Sequence, residues 1–343
     1  MKRLLNTLYI LSEDVYLSLD GENAVVNRNH EIVARYPLHT LQNIITFSYA
    51  GASPALLGAC AQRQIGIAFC SPQGRFLARV CGESNGNVLL RRTQYRAADD
   101  LAQSAQIGRT MIFGKVYNAR WSIERTRRDH GFRVDENQLA MASGQLRDLL
   151  PQVKAASSPE ALRGLEGAGA NVYFRAFDQM ILGDKETFFF SGRSRRPPLD
   201  AVNAMLSFTY SLLAHDCASA LESVGLDSYV GFLHRDRSGR ASLALDLMEE
   251  LRPCMADRFV LTLINNRIVH SSDFQYAPSG AVLLGDQGRK TFLKHWQEKK
   301  KEVLTHPYLN EKLPWGMVSY VQALLLARYL RGDLDEYPPF LWK

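Results

Sequence analysis

The sequence predicts an α+β protein in which a small, sandwich-like β-sheet domain precedes a larger all-α domain. Short alternating or β-branched segments, separated by turn residues, fill the chain up to about residue 90. From about residue 94 the segments become longer and take the helical period. We therefore assign residues 1–90 to a β-rich domain and residues 91–343 to a helical domain.

The predicted strands of the first domain are short and typical of hairpins. They cover residues 7–11, 15–19, 24–26, 31–36 and 65–69. The turn sequence Ser71–Gly74 would join the last of them to a further strand at residues 76–80. Ser53 followed by Pro54 predicts the N-cap and the first residue of one short helix.

The helical period of the second domain predicts seven segments. They are residues 94–106, 107–129, 136–149, 159–182, 199–224, 242–265 and 316–330. Ser158 and Pro159 predict the N-cap and start of the fourth. The segment Ser191–Pro198 is the most linker-like part of the chain, which suggests a mobile connection.

The composition is that of an ordinary globular protein and excludes a disordered one. Of the 343 residues, 46% are hydrophobic and 22% are charged, and the formal net charge of +6 permits a polyanionic partner without requiring one. The five cysteines include no Cys-x-x-Cys pair, so neither a disulfide framework nor a zinc knuckle is predicted. A reducing cytoplasm fits best, since the chain shows no signal peptide and no apolar run of the roughly 18 residues that a membrane span needs.

The segment 242–253 places two carboxylates, Asp246 and Glu249, one helical turn apart in an otherwise apolar helix. Residues three apart lie on one helix face, and ionised carboxylates held that close repel unless a cation or hydrogen-bond donors lie between them. A hard divalent metal is one such cation. The alternative is that these acids form, with Ser242 and Pro253, the solvated stripe of an amphipathic helix.

Glu166 is a second candidate, because unusually small residues surround it in a helix. Gly164, Gly167 and Gly169 each cost a helix interior up to about 1 kcal/mol relative to alanine. They suggest that a backbone, another helix or a ligand approaches closely beside Glu166. The alternative is tight helix packing with Glu166 directed outward.

His234 is a third candidate, at a corner between an apolar run and the basic turn 235–240. A lone histidine there is more often a surface or hydrogen-bonded residue, but imidazole is also a common metal ligand. Pro253 adds a further indication, because its ring clashes with the carbonyl of Glu249. A kink there would free that carbonyl and reorient the helix beside the carboxylate.

Two carboxylates, a histidine and an adjoining acid would together form a mixed oxygen and nitrogen site suited to Mg²⁺ or Mn²⁺ rather than structural zinc. Such a cation can polarise a phosphoryl oxygen and activate a water or a 3′-hydroxyl, which predicts phosphodiester chemistry. Basic clusters agree, because residues 109–133 carry seven basic against two acidic residues. The candidate DNA contacts are Arg91, Arg92, Arg120, Arg125, Arg128, Arg195 and Arg196.

Three sequence blocks closely resemble, in the same order, the active-site blocks of the CRISPR-associated adaptation integrases, a family of metal-dependent nucleases that acquire spacers. The blocks are Glu166-Gly with Tyr173-Phe174, Gly231-Phe-Leu-His234, and Ser242–Glu250 with Arg252-Pro253. The similarity extends along the whole chain. The segments 51–55, 71–79 and 86–95 are most similar to the type I-C branch of the family.

This resemblance implies a β-domain that mediates homodimerisation and a helical domain that binds DNA and holds a divalent metal. Carried over by motif, the metal ligands are Glu166, His234 and Glu249, and Asp246 is a nearby acid that assists. Many relatives have aspartate where Glu249 stands, and the longer side chain could shift the metal or favour a water-bridged contact. Family members flank a small partner protein as dimers and join the 3′-hydroxyls of a captured duplex to CRISPR repeat DNA by transesterification.

Two alternatives remain open from the sequence. A DNA-repair junction nuclease would use the same chemistry but would cut without producing joined products. A DNA-binding architectural dimer with structural carboxylates would bind DNA without metal and would yield no product.

Overall fold

The computed structural model describes residues 6–71, 76–80 and 88–343. Part of the predicted turn after Ser71, Cys81 and the start of the segment 86–95 lie outside these residues. The predicted architecture is confirmed, because a β-sheet domain precedes a mostly helical domain.

The described residues of the first domain form two sheets and one α-helix. The strands are β1 Asn6–Ile10, β2 Val15–Asp20, β3 Asn23–Arg28, β4 Glu31–Pro37, β5 Leu41–Thr46, β6 Gly66–Cys70 and β7 Phe76–Val80. One sheet has the order β1-β5-β6-β7 and the other the order β2-β3-β4. Both sheets and the helix α1, Pro54–Gln62, share a buried apolar cluster that includes Leu17, Ile44 and Leu56. As predicted, Ser53 caps α1, its Oγ accepting from the Leu56 N–H at 3.2 Å.

The hairpin prediction is correct for only part of this domain. β2, β3 and β4 pair antiparallel as successive hairpins, and β6 pairs antiparallel with β7, but β1 pairs parallel with β5 and β5 pairs parallel with β6. β5 was not predicted because it is buried on both faces, so its side chains do not alternate between apolar and polar.

The second domain contains nine described α-helices. They are α2 Val88–Asp99, α3 Leu101–His130, α4 Glu136–Ala155, α5 Pro159–Phe177, α6 Ala201–Ser223, α7 Ser242–Glu249, α8 Arg258–Asn265, α9 Asp286–Lys301 and α10 Val318–Leu330. Ser158 caps α5 as predicted, accepting from the Ala161 N–H at 3.2 Å. The domain is not purely helical, because it carries two antiparallel ribbons. These are β8 Phe274–Tyr276 with β9 Val282–Leu284, and β10 Val303–Thr305 with β11 Lys312–Pro314.

Several helix boundaries differ from the sequence pattern. The predicted segment 159–182 ends as α5 at Phe177, and the predicted segment 242–265 is divided between α7 and α8. Asp100 ends the first predicted segment early and caps α3, where its side chain accepts from the N–H groups of Ala102 and Gln103. α9 was not predicted because it is rich in charged residues and carries few apolar ones. Strands of three residues are too short to show the alternation of apolar and polar side chains, so the two ribbons were not predicted either.

The predicted linker is anchored rather than mobile. Arg193 donates to Asn203 Oδ1 at 2.6 Å and to Ser207 Oγ at 3.0 Å, and the Asn203 side chain donates in turn to Gly192 O at 2.8 Å. These bonds hold the segment against α6. Among the described residues, no helix is long and apolar enough to cross a membrane.

Candidate metal centre

The two carboxylates of α7 are buried. Asp246 is 0% exposed and Glu249 is 2% exposed, and Ser242 and Pro253 are buried beside them. The solvated stripe considered above is therefore wrong. Because buried charges need partners, the surroundings of each acid define what it does.

Asp246 holds the loop that carries His234. Its Oδ2 accepts from the N–H groups of Phe232 at 2.6 Å and Leu233 at 2.9 Å, and its Oδ1 accepts from the N–H of His234 at 3.0 Å. The same Oδ1 lies 2.6 Å from His234 Nδ1. Asp246 therefore fixes both the backbone and the ring of His234, which leaves Nε2 as the free ring nitrogen.

The loop can approach this acid because residue 231 is glycine. A Cβ at Gly231 would lie 2.7 Å from Asp246 Oδ2 and 2.9 Å from the Ser242 backbone. From the other side, Arg163 of α5 donates to the carbonyl of Leu233 at 2.8 Å. Two different helices therefore position the short segment that ends at His234.

Glu249 is the last residue of α7, at a change of helical geometry. A π-helical segment, Arg252–Asp257, follows it, and Pro253 in that segment has no N–H to donate to the Glu249 carbonyl. The chain thus changes its helical geometry where Pro253 predicted a kink. The turn brings Arg252 back onto the acid, with Nη2 3.2 Å from Glu249 Oε1. The Arg252 guanidinium also lies over the ring of Tyr210, 4.9 Å from its centroid.

The helix α5, the loop that ends at His234 and the helix α7 bring the three predicted ligands together. His234 Nε2 lies 3.9 Å from Glu249 Oε1. Lys115 of α3 lies between the two glutamates: its Nζ is 2.7 Å from Glu249 Oε2 and also forms an ion pair with Glu166 Oε1. Glu166 is the most accessible of these acids, with 29% of its side chain exposed. The three side chains, distant in sequence, therefore surround one small region.

The cations around Glu249 keep it ionised. Burial raises the pKa of Glu249, but the positive charges of Arg252 and Lys115 outweigh burial and lower that pKa to about 2. The acid is therefore a carboxylate throughout the physiological range, which is the form that binds metal.

The donor types fit a hard divalent cation. Two carboxylates and one imidazole nitrogen are the ligands that Mg²⁺ and Mn²⁺ accept. Glu249 Oε2 faces Lys115 but makes no hydrogen bond of regular geometry, so it keeps unused acceptor capacity. Within the described part of the chain, no three His, Cys, Asp or Glu side chains are close enough to hold a metal ion as they stand. A cation would have to take the place of the Lys115 ammonium.

Lys115 and Glu166 of the centre line a small cavity with a volume of about 30 Å³. Its polar lining also includes Arg195, Tyr210, Arg252 and Asp257. The cavity leaves room beside Glu166 for a group about the size of a water molecule.

The glycines around Glu166 divide into two groups. A Cβ at Gly164 or Gly167 would meet nothing within 4 Å, whereas one at Gly169 would lie 3.3 Å from Val116 of α3. Helix packing therefore explains Gly169 alone. The other two leave the surface of α5 beside Glu166 open, as the approach of a ligand would require.

The predicted DNA contacts differ in their surroundings. Three of them form ion pairs within α3: Arg120 with Glu124, and Arg125 and Arg128 with Asp129. Arg195 lines the cavity of the metal centre, and Arg195 and Arg196 both line a larger neighbouring groove. Arg91 and Arg92 lie on α2 and line neither the cavity nor the groove.

Sequence reasoning missed Lys115 and gave Arg252 no role. A signal for Lys115 existed, because it interrupts a buried apolar stripe of α3 that includes Ile112, Val116 and Ala119. A lysine on such a stripe needs an acidic partner, but the identity of that partner depends on which helices pack against α3.

The fold matches that of known structures along almost the whole chain. The structure of a casposase bound to an integration product matches with a TM-score of 0.84 and 22% identity, covering 99% of this chain and 95% of that one. A Cas6-RT-Cas1–Cas2 complex matches with a TM-score of 0.80 and 22% identity, covering 99% of this chain and 36% of that one. At 22% identity, these two matches show that the fold is shared.

Sequence comparison adds the family. The family described as CRISPR associated protein Cas1 matches residues 8–298, and the chain therefore belongs to the Cas1 family. A CRISPR-associated endonuclease Cas1 of Rhodospirillum rubrum is 51% identical over 347 residues, and one of Chlorobaculum tepidum is 46% identical over 343 residues. Both alignments cover 100% of each chain. The predicted family and the predicted class, a nuclease or integrase enzyme, are thereby confirmed.

Proposed function

We propose that this protein is a metal-dependent DNA endonuclease and integrase that inserts captured DNA into a CRISPR array by 3′-hydroxyl transesterification. The observation that carries the proposal is the approach of Glu166, His234 and Glu249 to one region beside a small cavity that Glu166 lines. The likeness to a casposase bound to an integration product supports the joining reaction. The resemblance of the segments 51–55, 71–79 and 86–95 supports membership of the type I-C branch.

In this proposal Glu166, Glu249 and His234 Nε2 would hold Mg²⁺ or Mn²⁺, which would supply Lewis-acid activation of a hydroxyl and stabilisation of phosphate charge. The residues of the chain prepare that site. Asp246 favours the proton on Nδ1 of His234 and so leaves Nε2 as an acceptor. Arg252 keeps Glu249 ionised and in place.

The reaction conserves the number of phosphodiester bonds. The 3′-oxygen of the captured strand forms a bond to the phosphorus of the repeat DNA, and the bond from that phosphorus to its previous 3′-oxygen breaks. The proton of the attacking hydroxyl passes to solvent, and the leaving oxygen takes one up. If water attacks instead, the same site cleaves the strand by hydrolysis.

We further infer that the protein acts as a homodimer on double-stranded DNA together with a small partner protein. The edge strand β4 exposes Ile32, Val33 and Tyr36 at 50%, 52% and 38%. An exposed apolar edge strand is suited to pairing with another chain, which supports dimerisation through the β-domain. The matched complex that contains Cas1 and Cas2 supports a small partner.

A joining assay with a labelled duplex and a plasmid that carries CRISPR repeats tests the proposal. The assay is run with Mn²⁺, with and without the small partner protein. Glu166→Ala and His234→Ala should abolish joined products while duplex binding persists, whereas Glu186→Ala, an exposed glutamate on another segment, should join normally.

The outcomes separate the three functions. Wild-type joining by either active-site variant would refute the site. Cleavage with no joined product under any condition would favour a repair nuclease, and metal-independent binding without any product would favour an architectural dimer.

A further inference from the structure

Lys115 is the cation that lies between the two glutamates of the candidate metal centre. Its Nζ is 2.7 Å from Glu249 Oε2 and forms an ion pair with Glu166 Oε1. The side chain is 11% exposed, so water screens these charges little. Two facing carboxylates need a positive charge between them, and the chain itself supplies one.

The two cations that contact Glu249 differ in how they are held. Arg252 is fixed, because its guanidinium both contacts Glu249 Oε1 at 3.2 Å and lies over Tyr210. Lys115 carries a compact charge on a flexible four-carbon stem, and its side chain lines the small cavity beside Glu166. Lys115 can therefore move away from the acids by rotation about its stem, whereas two contacts hold Arg252 in place.

We propose that Lys115 is a resident counter-ion: it takes the place of the divalent cation in the metal-free protein and is displaced when the cation binds. This inference rests on the proposed function, because it takes Glu166 and Glu249 as ligands of that cation. The inference predicts two opposite effects of Lys115, one on the stability of the metal-free protein and one on metal affinity. Lys115 stabilises the metal-free fold, and it weakens metal binding because the cation must displace it. A buried lysine with only a structural role would not weaken metal binding.

Lys115→Met in the full-length chain tests this inference at pH 7.5. Calorimetric titration with Mn²⁺ should give a Kd lowered by about tenfold or more, a range typical of coupling between two sites. The Tm of the metal-free variant should fall by at least about 3 °C, and saturating Mn²⁺ should recover most of that loss.

Two further variants serve as controls. Lys115→Arg keeps the charge and should bind Mn²⁺ no more tightly than the wild type. Lys294→Met removes an exposed lysine of α9 and should change neither the Kd nor the Tm.

Each outcome decides the question. A folded Lys115→Met variant whose Mn²⁺ affinity is unchanged or weaker overturns the inference. If Lys115→Met is unfolded without metal, the inference requires that Mn²⁺ restore its folded state. A variant that stays unfolded with Mn²⁺ also overturns the inference. Wild-type protein that binds no Mn²⁺, or binds it equally well after Glu249→Gln, refutes the metal centre itself. If Glu249 is required and Lys115→Met has no effect, only the role of Lys115 is refuted.

Discussion

Asp246 holds His234 at two points: its Oδ1 lies 2.6 Å from the ring Nδ1 and accepts from the His234 backbone N–H at 3.0 Å. One buried acid therefore sets both the position of the loop and the direction of the ring. The arrangement matches the general pattern in which a metal-binding histidine donates its other nitrogen to a carboxylate. The two acids of α7 therefore have different partners, since Asp246 orients His234 and Glu249 faces Lys115 and Arg252.

Asp246→Asn should lower both stability and metal affinity. The amide nitrogen would face backbone N–H groups that now donate to a carboxylate oxygen, leaving at least one buried donor unsatisfied at a cost of about 1–3 kcal/mol. We expect Mn²⁺ affinity, or joining activity, to fall about 10- to 100-fold. Urea unfolding and Mn²⁺ titration check this, with the exposed Asp236→Asn as control. A folded variant with unchanged affinity would contradict the positioning role.

Gly231→Ala should displace the loop that carries His234. Its Cβ would lie 2.7 Å from Asp246 Oδ2, so the acid or the loop must shift and His234 Nε2 must move. We expect joining to fall at least about tenfold, because small displacements of reacting groups are costly. Gly144→Ala is the matched control, since its Cβ meets nothing within 4 Å and should stabilise α4 by up to about 1 kcal/mol. Equal activity of Gly231→Ala and the wild type would show that the loop tolerates the extra atom.

Tyr337→Phe should weaken the support of α7. Tyr337 donates to Glu250 Oε1, and the N–H of Phe340 donates to Glu250 Oε2 at 2.7 Å. Burial raises the pKa of Glu250 to about 7 although these bonds oppose the rise. Loss of the hydroxyl leaves buried polar groups less satisfied, so the free energy of unfolding should fall by about 1–3 kcal/mol in urea titrations. Tyr308→Phe, at a tyrosine that is 51% exposed, should have no such effect.

His215 should make stability depend on pH in a defined window. Burial, with smaller effects of Arg79 and Lys300, lowers its pKa from 6.5 to about 4, although the charge of Asp216 opposes this shift. The unfolded chain therefore binds a proton at His215 near pH 6.5, whereas the folded chain binds it only near pH 4. The contribution of neutral His215 to the free energy of unfolding is complete above about pH 6.5. It is lost as the pH falls from 6.5 to 4, by about 2 kcal/mol at pH 5.

His215→Gln removes this titration. Urea unfolding at pH 7.5 and at pH 5 should show a smaller acid-induced loss in the variant than in the wild type. His39→Gln, at an exposed histidine, should keep the wild-type loss. If the free energy of unfolding falls equally with pH in His215→Gln and in the wild type, His215 is not the source of the acid-induced loss.

Local patterns predicted much of the helical domain correctly. Ser158 with Pro159 predicted the start of α5, and Pro253 predicted the change of helical geometry beyond Glu249. These features depend on a few neighbouring residues, so the sequence carries them directly. The parallel pairing of β1 with β5 was not predictable in this way, because strand partners are chosen by burial across the whole domain.

The sequence by itself determined the residue types of the site: two acids one turn apart, a glutamate among glycines, and a histidine after an apolar run. Only the tertiary structure decided their separate tasks. Asp246 turns toward the His234 loop, whereas Glu249 meets Lys115 and Arg252. The physical reason is that buried charges take their roles from the partners that packing brings to them, and here those partners come from α3, the His234 loop and the π-helical segment.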